Sequence, residues 1–170
     1  MRLYLVRHAT AVPPGTPGFP DDTLRPLTDA GRAEARRAAQ ALRRMKIKLD
    51  LIVTSPYLRA AQTAEVLARG LGFTKVVRQM EALRDDIDPR ETSQALRTFD
   101  GYEKVAFVGH EPHLSAWVAE LVSTQGMQCV MKKGGIACVE ILRVPPPNGS
   151  GTLRWLLSPK QLGLIADETG

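Results

Sequence analysis

Leu3, Leu5 and Val6, with Tyr4 between them, form the apolar run of a buried strand, and the run stops abruptly at Arg7-His8. The next stretch, "VPPGTPGFPDD" over Val12 to Asp22, holds four prolines and two glycines and is a loop. Thr28 then offers an N-cap for a helix over residues 29–45, with Ala33, Ala38, Ala41, Leu42 and Met45 as its apolar stripe. "LDLIVTSP" reads as a short buried strand stopped by Pro56, followed by a helix over 57–70 that ends near Gly70 and Gly72. "KVVRQ" is a candidate short strand, and "DPRETSQALRTF" a helix with Pro89 in its first turn. "KVAFVGHEP" repeats the opening pattern, an apolar strand ending in Gly109-His110, and leads into the helix "HLSAWVAELV".

The last third changes rhythm. "GIACVEILRV" and "GTLRWLLS" read as two strands joined by "PPPNGSG", a turn of hairpin size. The order βαβαβαβα followed by ββ predicts a three-layer α/β/α domain: a mostly parallel central sheet covered by helices, with an antiparallel edge. No repeat or linker interrupts the chain, so one domain over residues 1–170 is expected.

Composition narrows the class. With 44% hydrophobic and 24% charged residues, the chain is that of an ordinary soluble globular protein. No apolar stretch approaches the ~20 residues of a membrane span and the first residues make no secretory signal, so a cytoplasmic protein without membrane partners is expected. Cys129 and Cys138 lack Cys-x-x-Cys spacing and are read as reduced structural thiols. Lys and Arg number 23 against 18 Asp and Glu, a net charge of +5. Much of the excess lies on "GRAEARRAAQALRRMK". A solvated helix face explains it, and without interleaved aromatics no nucleic-acid partner is expected.

Three strand ends then converge on one chemistry. In a parallel sheet the ends of the first strand (Arg7-His8), the second (Thr54-Ser55, with Arg59 just beyond) and the fourth (Gly109-His110) share one edge. Two imidazoles, two guanidiniums and helix N-termini at one place suit a tetrahedral oxyanion, because guanidinium is permanently charged and binds such groups bidentately. No Walker loop or metal-ligand cluster accompanies them, so no metal and no cofactor are expected. No Cys sits in the set either; a neutral histidine is the natural phosphoryl acceptor.

The same residues carry a resemblance. "LVRHAT", "DDTLRPLTDAGRAEA", "SPYLRAAQTAEVL" and "VGHEPHL" resemble, in order, the four signature segments of the histidine phosphatase (phosphoglycerate mutase-like) superfamily. The small size and the ending "GTLRWLLSPKQL" are similar to the SixA-type phosphohistidine phosphatases. The resemblance implies the phosphoglycerate mutase-like fold, with His8 as the nucleophile forming a phosphohistidine intermediate. It implies that Arg7, Arg59 and His110 bind the phosphoryl oxygens and stabilise the transferring group. It also implies a phosphorylated protein as substrate, a histidine phosphotransfer domain, and hence a place in signal transduction. The third signature letter departs from the family, Ala9 standing where glycine is usual. The proton donor is less defined: Glu81 is the nearest match, with Asp85 and Asp86 as competitors.

Other candidates are peripheral. Arg25 either rims the phosphate or pairs with Asp21 or Asp22, Thr10 can lend its hydroxyl to the rim, and His113 is read as structural. Trp117 and Trp155 are expected in the core. Two other functions stay open at this point: a phosphomonoesterase acting on a small phosphorylated metabolite with the same residues, and a non-catalytic phosphoprotein-binding module.

Overall fold

β1 (Arg2–Arg7), β2 (Leu51–Thr54), β3 (Arg78–Gln79), β4 (Lys104–Gly109), β5 (Ile136–Glu140) and β6 (Thr152–Leu157) form one sheet in the order β3-β2-β4-β1-β5-β6. The computed structural model describes residues 1–167. The first four strands are parallel, β5 is antiparallel to β1, and β6 is antiparallel to β5. The helices are α1 (Asp29–Arg44), α2 (Leu58–Leu71), α3 (Pro89–Ala95), α4 (His113–Val122) and α5 (Pro159–Asp167).

Alternation along the strands builds two cores. On one face Leu3 and Leu5 of β1 join Val53, Val105 and Phe107, covered by Trp117 and Leu121 of α4. On the other, Tyr4 and Val6 join Ile52, Ala106 and Val108, covered by α1, α2 and α5. A strand buried on both faces must be apolar at successive positions, which is why β1 and β4 read as unbroken hydrophobic runs. The fold is the expected three-layer α/β/α arrangement with an antiparallel edge.

Local signals place the helices that carry the site. Thr28 caps α1 by accepting from the Gly31 amide at 3.0 Å, and Asp88 caps α3 with Pro89 in the first turn. Gly31 is required: a Cβ there would lie 1.9 Å from the Thr10 carbonyl oxygen, so α1 begins in direct contact with the chain that follows His8.

Four expectations need correction. The strand foreseen over "KVVRQ" shrinks to Arg78–Gln79, an exposed edge paired only through Val53↔Arg78 and Thr54↔Gln79. The third helix tightens into a 3-10 turn over Leu96–Phe99. The buried side of α1 is Gly31, Ala35, Ala38, Ala39, Ala41 and Leu42, broader than the foreseen stripe because α1 is packed by both α2 and α5, while Ala33 and Met45 are half-buried. Trp117 is fully buried, whereas Trp155 is half-buried on the edge strand β6, its ring 5.9 Å from that of Tyr4.

α5 was not foreseen. Nine residues with an internal glycine make a poor isolated helix; burial of Leu162 and Ala166 against the α1 layer forms it.

Candidate active site

β1 and β4 lie in register, with Arg7 beside Gly109, and the His8 amide donates to the Gly109 carbonyl at 3.0 Å. The two strands therefore deliver His8 and His110 side by side, their ring centroids 5.1 Å apart. Ser55, leaving β2, donates its amide to Val108 at 2.9 Å and brings its hydroxyl 2.8 Å from His110 Nε2. Thr63 of α2 accepts from the Ala9 amide at 3.1 Å and donates to the Arg59 carbonyl at 2.7 Å, locking the turn after His8 to the helix that carries Arg59.

Hydrogen bonds set the protonation of both rings. His8 Nδ1 lies 2.8 Å from the Ala9 carbonyl oxygen, which can only accept, so Nδ1 carries the proton and Nε2 keeps its lone pair. Burial pushes the His8 imidazole down to about 4, against the pull of that carbonyl; Arg59, Arg7 and Lys133 push the same way. Burial, then the neighbouring His8 and Arg59, pushes His110 down to about 2. Both rings are neutral at pH 7. Ser55 Oγ accepts from the Tyr57 amide at 3.3 Å and has its own proton to give to His110 Nε2; in that tautomer Nδ1–H of His110 is a free donor. In that tautomer one ring presents a lone pair and its neighbour an N–H.

The cations are held as firmly. Arg7 donates to the Met131 carbonyl at 2.6 Å. Arg59, 3% exposed, donates to the Asp22 carbonyl at 2.7 Å and lies 3.1 Å from the Asp22 carboxylate. Asp22 also takes Arg25 Nε at 2.7 Å, and Arg25 reaches the Val12 carbonyl at 2.5 Å, so the proline-rich loop is stitched to the site by two arginines. Burial lowers the pKa of Arg7 and Arg59, but a guanidinium stays charged at any working pH. Arg7 Nε, Arg59 Nε and His110 Nδ1 are buried without a hydrogen-bond partner among the described residues. An orphaned buried donor costs about 1–3 kcal/mol. Two orphaned guanidinium N–H groups and an unpartnered imidazole nitrogen on the residues that flank His8 suit an anion bearing several oxygens.

The remaining candidates separate. Arg25 meets Asp22, as one of its two readings held. The Thr10 hydroxyl donates to Glu34 Oε1 at 3.0 Å while the Thr10 amide donates to Oε2 at 3.0 Å, so its polar groups are turned to α1. Glu81 sits in a 3-10 turn with its side chain 73% exposed, 3.7 Å from Arg84. Asp86 is taken by Arg84 at 2.8 Å. Of these carboxylates Asp85 is tied to the site: it accepts from the Tyr57 hydroxyl at 3.4 Å, and the Tyr57 ring lies 4.8 Å from that of His110. His113 is bonded to the Thr92 hydroxyl at 2.8 Å, which donates in turn to Ala82, joining α4 to α3.

Ser55, Thr63 and the double role of Asp22 went unread in the sequence. All three lie inside the motif segments, where motif position was the available signal. Among the described residues, no group of three or more His, Cys, Asp or Glu is placed to hold a metal ion. Likewise, no helix is long and apolar enough to cross a membrane.

Residues 3–98 match the model of the histidine phosphatase superfamily (branch 1). The chain belongs to the histidine phosphatase superfamily. Within the superfamily it is 29% identical over 164 residues to phosphohistidine phosphatase SixA of Escherichia coli, covering 95% of this chain and 96% of that protein. Its fold superposes on the protein histidine phosphatase SixA complexed with tungstate with a TM-score of 0.83 and 28% identity, over 95% of this chain and 99% of that one. The alpha-ribazole phosphatase of Shigella flexneri shares the fold, with a TM-score of 0.72 at 18% identity over 94% and 97% of the two chains. The chain is a phosphatase, with the phosphoglycerate mutase-like fold of this superfamily.

Proposed function

We propose that the chain, as a single catalytic domain in the cytoplasm, removes the phosphoryl group from phosphohistidine on a signalling protein, without a metal, through a covalent intermediate on His8. The observation that carries this reading is the His8 ring itself: neutral, clamped at Nδ1 by the Ala9 carbonyl, with Nε2 free beside Arg7, Arg59 and His110. In the first step Nε2 attacks phosphorus in line while the substrate N–P bond breaks, and the released imidazole keeps or takes a proton. In the second, water attacks phosphorus, the P–Nε2 bond breaks, and inorganic phosphate leaves with His8 neutral again. Charge in each transition state spreads over the equatorial oxygens, where Arg7, Arg59 and the His110 Nδ1–H stabilise it. Tungstate in the SixA complex is an oxyanion of the same class.

The substrate follows from the leaving group. A protonated phosphoimidazole departs with little acid assistance, and Glu81, the foreseen proton donor, points to solvent. Near-complete coverage of the SixA chain, without added segments, supports the same assignment. A phosphate ester is the second reading, because Asp85 reaches the His110 side of the site through Tyr57.

The test offers the protein, with chelator present, a histidine phosphotransfer domain phosphorylated on histidine and, separately, a panel of phosphate esters. Rapid release from the phosphoprotein, with an acid-labile, base-stable label trapped on the enzyme, is expected. Release from esters alone overturns the substrate; binding without release overturns catalysis; inactivation by chelator overturns the metal-free mechanism.

A further inference from the structure

α1 and α2 run side by side away from the sheet edge that carries His8. Ala35 and Val66 share a small cluster with Ala9, and a Cβ on Gly70 would lie 2.5 Å from that of Ala39, so the helices touch in step, four residues apart on each. Above this seam Arg32 and Arg36 of α1 and Arg69 of α2 enclose, with Val66 and Gly70, a groove of about 450 Å³. Arg43, two turns beyond Arg36 on α1, donates to the Gly70 carbonyl at 3.5 Å and continues the same face.

Several other surface arginines are held by carboxylates. Arg84 is paired with Asp86 and Glu81, Arg2 and Arg154 with Glu140, and Arg37 with Asp167. Among the described residues Arg32, Arg36 and Arg69 have no carboxylate within 4.0 Å. Glu34, the acid nearest to Arg32 and Arg36 along α1, is turned to Thr10, and among the described residues Glu65, one turn before Arg69, makes no ion pair with it. A groove with three unpaired guanidiniums and a small apolar floor faces solvent at a cost in like-charge repulsion that an acidic partner relieves.

The groove also lies close to the chemistry. Its floor residue Val66 packs in the same cluster as Ala9, which follows the proposed nucleophile, and Arg32 stands in the first turn of α1, whose cap Thr28 bonds the Thr10 carbonyl. A partner seated here reaches the His8 edge without crossing the sheet.

We propose that this α1/α2 groove docks an acidic helix of the phosphorylated protein substrate, a statement that rests on the phosphoprotein reading above. Carboxylates spaced one turn apart on such a helix, about 5.4 Å, match Arg32 and Arg36, spaced one turn apart on α1, with Arg69 closing the other wall. The apolar floor takes a small aliphatic side chain. No aromatic residue lines the groove, which leaves bases without a stacking platform and favours protein over nucleic acid. Docking of this kind acts on encounter and binding, leaving the phosphoryl chemistry alone.

The test is the triple substitution Arg32→Gln, Arg36→Gln, Arg69→Gln, assayed on a phosphorylated histidine phosphotransfer domain and on p-nitrophenyl phosphate across a range of salt. The expected result is a KM for the phosphoprotein raised roughly tenfold, with kcat held and the salt dependence flattened, from three charge contacts of modest strength. Turnover of p-nitrophenyl phosphate stays at the wild-type level and shows that the variant is folded. A phosphoprotein KM and salt dependence equal to wild type overturns the docking site while leaving the substrate assignment standing. Wild-type protein that cleaves p-nitrophenyl phosphate but not the phosphoprotein overturns both. Binding of a duplex oligonucleotide that the triple variant loses, with the phosphoprotein KM unchanged, assigns the groove to nucleic acid and overturns the proposal.

Discussion

The ends of β1 and β4 are built alike and held differently. Each is an apolar strand that ends in a histidine, the two strands are parallel and in register, and the rings lie 5.1 Å apart. Yet His8 is held by Nδ1 on a backbone carbonyl, and His110 by Nε2 on the Ser55 hydroxyl. A carbonyl can only accept, so it fixes the proton on the bonded nitrogen and leaves a lone pair outward. A hydroxyl has a proton to give, and when it donates to Nε2 it leaves an N–H outward. In the proposed mechanism one residue type therefore supplies both a nucleophile and an electrophilic donor within a single site, and the partner atom distinguishes them. Burial keeps both rings neutral, which the division of labour requires.

Removing each ring tests that division most severely. His8→Ala is expected to reduce turnover to background with the fold intact, because His8 is the proposed site of the covalent intermediate. His110→Ala is expected to lower kcat by about 10²- to 10³-fold, the loss of one oxyanion donor, while the enzyme still accepts label on His8. Steady-state kinetics and trapping of labelled enzyme separate the two outcomes. Equal losses with no trapped label in either variant would break the comparison.

Ser55→Ala probes the hydroxyl that sets the His110 tautomer. It leaves the ring in place but frees it to protonate at either nitrogen, and a loss of about tenfold in kcat is expected, consistent with one buried hydrogen bond. Ser55→Thr restores a hydroxyl and is expected to recover activity. The variant pair separates control of the proton from simple packing.

The acid range tests neutrality. With His8 lowered to about 4, kcat/KM is expected to hold down to about pH 4 on this group's account, where an ordinary histidine would begin to fail near 6.5. Stability moves with it. Between about pH 4 and 6.5 the unfolded chain binds a proton that folded His8 refuses, so the contribution is full above 6.5 and is lost as pH falls toward 4. The slope is about 1.4 kcal/mol per pH unit for this residue. Urea unfolding of wild type and His8→Gln through this window measures the difference, and identical slopes would place a charged ring in the folded site.

Much of this arrangement was legible before the structure because strand ends in a parallel sheet share an edge, so Arg7, His8, Arg59 and His110 could be brought together from element order and motif spacing. What stayed hidden depended on contacts that no local pattern encodes. The Ser55 hydroxyl matters only through a ring 55 residues away, and Asp22 reaches Arg59 across 37 residues. Glu81 matched by position after β3, yet its turn directs it to solvent, while Asp85 comes to the site through Tyr57. α5 has little intrinsic helical preference and exists through packing on α1, which composition does not show. Among the strands, the boundary that moved most lay where burial was lowest, at the edge strand β3.

Ala9 offers the finest test. It stands between the two devices that hold His8: its carbonyl takes Nδ1–H at 2.8 Å and its amide donates to Thr63 at 3.1 Å. Both are main-chain groups that glycine also provides. The methyl packs instead, fully buried, with Ala11, Leu27, Ala35 and Val66. Ala9→Gly is therefore expected to cost about 1 kcal/mol of stability, from the lost methyl and the freer unfolded chain. Thermal unfolding measures that loss, with kcat/KM expected to stay at the wild-type level. A tenfold fall in kcat/KM with stability preserved would show instead that the narrower backbone range of alanine aims the carbonyl at Nδ1. In that case the lone pair on His8 would owe its direction to a side chain, and the contrast with His110 would rest on two side-chain partners after all.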